Sequence, residues 1–198
     1  MEIDPAALSR RDRYWLTVGT VIPRPVGWTS TISPEGAPNL APFSFFGGVS
    51  SDPPTVMLSV GRRKGGAQKD TARNLLATKE AVVHIAHLPL AEKMVGTSAE
   101  VGPDVDEFSL VGLSKVPSVV VRPYRIGEAA IAMEARMVHH QEVGNGPVDL
   151  FLLEIVRFHL DDAFVVNGLP DAAKLQAVAR CGGIEYCATS EIFSIGRP

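Results

Sequence analysis

No apolar run in the chain approaches the roughly 18–20 residues that a membrane-crossing helix requires. Nor is there an excess of positive charge. The 198 residues carry 19 Lys and Arg against 22 Asp and Glu, a net charge of −3, where general nucleic-acid binding needs a strongly basic face. Cysteine is scarce too. Cys181 and Cys187 fit neither a CxxC redox pair nor a zinc knuckle, so they read as ordinary thiols of a reducing cytoplasm. The opening residues MEIDPAALSRRDRYW lack the basic-then-apolar layout of a secretory signal. Repeats, low-complexity tracts and linkers are absent as well. Neither a membrane nor a nucleic acid is expected as a partner.

What is present describes a globular chain. Apolar residues make up 45% and charged residues 21%, ordinary for a folded protein. A single cytoplasmic domain over residues 1–198 is large enough to bury a continuous core. Most of it reads as strands punctuated by Pro/Gly turns. Val26–Ile32 is β-branched and runs into the turn Ser33-Pro34-Glu35-Gly36. Thr55–Val60 and Ala81–Leu88 read as buried strands, and Val116–Val121 as a short edge strand with Pro117 near its start. Ala129–Val143 and Asp149–Leu160 flank Gly144-Asn145-Gly146-Pro147, a hairpin signal. Two helices are expected, Thr71–Lys79 with Asp70 or Thr71 as N-cap, and Leu90–Val95 entered through Pro89. Many short antiparallel strands imply a mainly β sandwich or closed barrel. Pattern alone does not choose between them.

One segment carries chemistry. Between Arg62 and Arg73, twelve residues hold five of the chain's nineteen basic side chains and one acid, with Gly61, Gly65 and Gly66 close by. The segment then enters a helix. A helix start presents free N–H groups and partial positive charge, and Arg and Lys add charge-assisted contacts, so the arrangement suits a phosphate. A solvated basic loop ending in an ordinary N-cap fits the same residues. Neither GxxxxGK[ST] nor GxGxxG is present, which disfavours triphosphate and Rossmann sites.

Upstream, Pro23-Arg24-Pro25-Val26-Gly27-Trp28-Thr29-Ser30-Thr31 and Asn39-Leu40-Ala41-Pro42-Phe43-Ser44-Phe45-Phe46 set hydroxyls beside aromatic rings. That combination suits a flat heteroaromatic ligand with a polar edge, and equally a core with hydroxyls at its margin. Five histidines invite a metal site, but His84 and His87 alternate across a strand, His139 and His140 are adjacent, and His159 lacks a ligand companion at suitable spacing. No protein metal site is expected. Glu134 and Asp161-Asp162 read as ordinary polar positions, and Asp104, Asp106 and Glu107 as a solvated loop.

The elements PRPVGWTST, NLAPFSFF, SVGRRKGGAQKDTARN, DEFSLVGL and RCGGIEY occur in that order over most of the chain. Together they resemble the flavin reductase-like family, most specifically in KDT-x-x-N after a GRR loop. The resemblance implies a six-stranded antiparallel split barrel with peripheral helices, a homodimer, and FMN near the dimer interface. It assigns Thr29, Ser30 and Thr31 to the flavin and its ribityl chain. Ser44, Phe45 and Phe46 fall to the isoalloxazine, and Arg62, Arg63, Lys69 and Thr71 to the phosphate. Asp70 orients a neighbour or caps the helix, Arg24 lies near the ring or in a surface ion pair, and the Gly183–Tyr186 segment covers the site. The implied activity is NAD(P)H-dependent reduction of FMN by hydride transfer to flavin N5, with Trp28 or Phe45 as an aligning wall. A partner monooxygenase is one possible electron acceptor. An electron-transfer flavoprotein without efficient nicotinamide turnover, and a non-enzymatic binding module, remain the alternatives. No catalytic side chain is singled out.

Overall fold

The computed structural model of the protein describes residues 1–102 and 104–196. Seven strands form its main sheet: β1 (Gly27–Ile32), β2 (Pro38–Phe43), β3 (Phe46–Ser51), β4 (Pro54–Val60), β5 (Glu80–Ile85), β6 (Ile131–Val143) and β7 (Val148–Leu160). All neighbours are antiparallel, in the order β2-β1-β5-β6-β7-β4-β3. The edge strand β2 comes against β4 near the opposite edge, so the sheet curls around its contents. The strand beyond the expected six is β3, which pairs only with β4 and is exposed beyond Gly47.

Burial explains the curl. Along β7, Asp149, Phe151, Leu153 and Ile155 are buried while the residues between them are only partly covered, the period of two that one packed face demands. Phe151, Leu153, Leu58, Val60, Val83 and Ala135 meet inside the barrel. Each large side chain fully buried there contributes roughly 1.5–3 kcal/mol.

Five short helices surround the sheet: α1 (Arg10–Thr20), α2 (Asp70–Thr78), α3 (Ala91–Gly96), α4 (Glu107–Leu110) and α5 (Ala172–Leu175). Helices α4 and α5 lie outside the expected set, and so does α1. Ser9 caps it by accepting the Asp12 N–H at 3.1 Å, but only Val18 is buried, too thin an apolar stripe to announce a helix. Helices α3 and α4 cover a second core outside the barrel, where Trp28, Leu40, Met94 and Phe108 pack together. Strand β1 is therefore buried at all six positions. Near the C-terminus, β8 (Val178–Gly182) and β9 (Glu185–Ala188) form a hairpin, with Arg24–Pro25 paired to β8.

Two expectations change. Of the Val116–Val121 stretch only Val116 is in a strand, the two-residue Lys115–Val116 paired with Arg125–Ile126. The following N–H groups of Val119, Val120 and Val121 instead donate to the Glu134 carboxylate at 2.8, 2.6 and 3.0 Å. Glu134 is thus no ordinary polar position. It is fully buried and also bonded to His159 Nε2 at 2.6 Å. Burial pushes its carboxyl up, but these hydrogen bonds outweigh burial and leave it below the usual range.

His84 is a second internal fastener. Its Nδ1 lies 2.9 Å from the Trp28 carbonyl, and its Nε2 accepts the Ile126 N–H at 3.0 Å, which requires the neutral ring with hydrogen on Nδ1. Complete burial lowers its pKa from 6.5 to about 4. Between those values the unfolded chain binds the proton and the folded chain does not, so stability falls as pH falls. Urea unfolding is expected to show the wild type losing stability more steeply than His84→Gln over this window, by up to about 1.4 kcal/mol per pH unit. Parallel pH profiles would show that His84 does not titrate this way.

Candidate functional site

The basic loop leaves β4 at Gly61 and is tied down at both ends. Arg62 sets Nε 3.1 Å from Asp149 Oδ2 and donates from Nη2 to Glu142 at 2.5 Å. Asp149, fully buried on β7 directly opposite Val60, also receives Gln68 at 3.2 Å and His140 at 2.9 Å. Arg62 therefore anchors the loop to the long hairpin. Between the anchors, Arg63 N–H bonds the Ala67 carbonyl at 2.8 Å, and Gly65 and Gly66 adopt φ of +90°. Only glycine takes that backbone shape without strain.

Helix α2 starts where the loop ends. Lys69 is its N-cap residue and supplies no side-chain cap, in place of the expected Asp70 or Thr71. Both alternatives are occupied. The Asp70 carboxylate pairs with Arg63 and Arg73, and the Thr71 hydroxyl accepts from Asn39 Nδ2 at 3.0 Å. The same Asn39 amide donates to Thr31 at 3.1 Å, and Asn74 donates to Thr31 at 3.1 Å. This buried network joins β1, β2 and the first turn of α2. The uncapped N–H groups of that turn remain available to an acceptor.

A cleft opens between the start of α2, β2 and the segment after α3. Arg63, Lys69, Asp70 and Thr71 line one part of it, Ala41, Pro42 and Phe43 another. It encloses about 80 Å³, less than the roughly 300–1,000 Å³ of a complete small-molecule site, so it takes one part of a ligand that extends out through the open mouth. Among the described residues, no carboxylate lies within 4.0 Å of Lys69, whose ammonium sits 5.9 Å from the centre of the Phe43 ring. Arg63 Nε is buried without a hydrogen-bond partner among the described residues. One region of the cleft is thus cationic and under-satisfied, and another is flat and apolar.

The remaining expected residues lie in other layers. Thr29, Ser30 and Thr31 are buried within β1, with the Thr29 hydroxyl turned to the Gly27 carbonyl at 3.2 Å. The Ser30 hydroxyl has no partner among the described residues. Phe46 belongs to the barrel core and packs onto Gly27, where an added Cβ would meet its ring at 2.7 Å. Ser44 lines a small recess next to the cleft, and Phe45 is exposed. Trp28 is not available as an aligning wall: it is fully buried, and its indole donates to Thr97 Oγ1 at 2.9 Å.

Glu107 was expected in a solvated loop, yet it is buried, lines the cleft and accepts the Leu40 N–H at 3.0 Å. Burial raises its pKa, opposed by the Leu40 bond. The acid-rich run around it conceals this, because only tertiary packing separates Glu107 from Asp106, which caps α4 and pairs with Lys115. The two cysteines lie on facing strands of the β8–β9 hairpin, a proximity their spacing did not announce. Burial and the neighbouring Cys181 push the Cys187 thiol up, away from the reactive thiolate.

The flavin reductase-like domain model matches residues 18–173. The chain belongs to the flavin reductase-like family. Among solved structures, it resembles nitrilotriacetate monooxygenase component B from Bacillus cereus, with 32% identity and a TM-score of 0.94 over 98% of both chains. It also resembles the 2-nitrobenzoate 2-nitroreductase of Pseudomonas fluorescens, with 26% identity and a TM-score of 0.90 over 100% of this chain and 96% of the other. A Shewanella frigidimarina protein with a split barrel domain superposes with a TM-score of 0.86 over the whole of both chains at 20% identity, which shows the fold. The curled sheet is thus the split barrel expected of this family, and membership makes the protein a flavin-linked oxidoreductase or electron carrier.

The network behind the cleft gives a direct expectation. Asn39→Ala removes one amide that serves both Thr31 and Thr71, and should destabilise the fold by about 1–3 kcal/mol. Urea unfolding reads this as a lowered midpoint with unchanged slope, and an unchanged midpoint would show that the network holds nothing together.

Proposed function

We propose that the cleft holds FMN and that the protein is an NAD(P)H-dependent flavin reductase. The observation that carries this reading is a single cleft lined by an under-satisfied cationic region at the start of a helix and by a flat apolar wall. The donors suit a phosphate: uncapped first-turn N–H groups, Lys69 without an acid partner, the Thr71 hydroxyl, and Arg63 with a buried Nε left over. Ala41, Pro42 and Phe43 suit a planar ring. When bound, FMN supplies the redox chemistry, taking up a hydride at N5 from a nicotinamide donor.

In this reading Arg63, Lys69 and Thr71 hold the phosphate, and Asp70 orients Arg63 beside it. Thr31 positions Thr71 through Asn39, and Arg62 holds the loop in place. Thr29 and Ser30 form the floor behind the ribityl chain. Phe46 supports that floor through Gly27, while the main chain around Ser44 and Phe45 meets the isoalloxazine edge. The exposed Phe45 ring can face a second aromatic ring where Trp28 cannot. The open cleft and the exposed Phe45, Phe193 and Ile195 support a homodimer in which a second copy covers the flavin. The likeness to a monooxygenase component supports an oxygenase as the acceptor of reduced flavin. Among the described residues, no helix is long and apolar enough to cross a membrane.

Lys69→Ala tests the phosphate assignment most cleanly, because Lys69 has no acid partner among the described residues to strand. It should weaken FMN by roughly 1.5–3 kcal/mol and leave riboflavin, which lacks the phosphate, almost unaffected. Equal losses for both flavins would remove Lys69 from the phosphate. Anaerobic stopped-flow mixing with NADH and NADPH tests the reaction. Bleaching of the flavin band by either donor is expected, whereas bleaching only by dithionite would make the protein an electron carrier.

A further inference from the structure

Next to the cleft lies a smaller recess lined by Val26, Pro42, Ser44, Ser98, Arg180 and Tyr186. Pro42 and Ser98 line the cleft as well, so the two spaces share a wall. The recess encloses about 70 Å³, room for one compact group. Its only charged lining residue is Arg180.

Arg180 on β8 stands directly across the strand pair from Arg24. Among the described residues, no carboxylate lies within 4.0 Å of either guanidinium, in contrast to Arg62, Arg63 and Arg73 of the basic loop. Arg24 is buried and spends Nη1 on the carbonyls of Val18, Val21 and Cys181, at 2.6, 2.6 and 3.4 Å. Its Nε is buried with no partner among the described residues. Arg180 donates to the Tyr186 hydroxyl at 2.9 Å and to the Gly183 carbonyl. These bonds use two of its five donors. Its guanidinium carbon lies 4.9 Å from the centre of the Tyr186 ring, so Tyr186 holds it through both hydroxyl and ring.

Two adjacent arginines without an acid are costly in a partly dry environment unless an anion arrives. The hydroxyls alongside fit such a guest. Ser98 already donates to the Val95 carbonyl at 2.6 Å, and Ser44 makes no hydrogen bond among the described residues. A guanidinium held by a tyrosine in this way keeps N–H groups free for the oxygens of an anion.

We infer that this recess takes the oxyanion of the molecule that meets the flavin, a carboxylate or a phosphate, and that Arg180 selects for it. The inference rests on the FMN reading of the adjoining cleft. It gives the Gly183–Tyr186 hairpin a specific purpose: Tyr186 orients Arg180, and Arg180 admits anionic second substrates in preference to neutral ones of the same shape. The anion has two natural sources, a small planar organic acid acting as electron acceptor, or the diphosphate of the nicotinamide donor.

The experiment titrates the FMN-loaded protein separately with benzoate, neutral benzamide and ADP-ribose, reading the visible absorption of the bound flavin. At least one anion is expected to perturb the spectrum saturably, more tightly than benzamide. Arg180→Met should weaken that anion about tenfold or more, the scale of one charge-assisted contact, with FMN affinity unchanged as the check on folding. Arg180→Lys, which keeps the charge but loses the fork, should recover part of the loss. Saturation by benzoate assigns the recess to a small acid, and saturation by ADP-ribose assigns it to the dinucleotide. No perturbation by either anion, or equal anion binding in wild type and Arg180→Met, overturns the inference while leaving the FMN site standing. A protein that takes up no FMN overturns both readings, and that result is seen before any anion is added.

Discussion

The start of helix α2 is fixed to the sheet by two side-chain amides. Asn39 donates to Thr31 and to Thr71, and Asn74 returns from the helix to the same Thr31 hydroxyl. All four groups are buried, where an unmade hydrogen bond costs more than in water. The helix start therefore has little freedom to tilt away from β2. The direction of its free N–H groups, the placement of Lys69 over Phe43 and the distance between the cationic and apolar parts of the cleft all depend on that link.

Electrostatics divides the loop's cations between structure and binding. Arg62 is bound to a buried carboxylate that also gathers Gln68 and His140, so it fixes the geometry. Asp70 holds Arg63 and Arg73 in position without neutralising both. Lys69 is left to present charge to the cleft. A basic loop of five cations thus acts as a scaffold with a small exposed positive centre. The same economy recurs at Glu134, which spends one carboxylate on three backbone N–H groups and a histidine to shape an otherwise strandless stretch.

Much of this was legible in the chain. Five of the seven sheet strands followed from β-branched and apolar runs bounded by turn residues, whereas β2 and β3 did not. Gly65, Gly66 and the cations on either side of them marked the loop as a candidate anion site. What was not legible depended on partners distant in sequence. Arg62 and Arg63 are adjacent and chemically alike, and only β7 behind the loop claims the first for Asp149. Trp28 lies in a motif that pattern reading sets beside a flat ligand, but α3 and α4 bury it. Glu107 sits in an acid-rich run that looks solvated until Leu40 is placed beside it. Helix α1 buries one residue, so periodicity could not reveal it.

The central claim is that the start of α2 and its flanking cations hold a phosphate. Phosphorus-31 NMR of FMN titrated with the protein tests it at the atom concerned. The bound phosphate resonance should broaden, shift, and remain dianionic to lower pH than in free FMN, because Lys69, Arg63 and the helix start favour the more charged form. A bound flavin whose phosphate still titrates as it does free in solution would contradict the account.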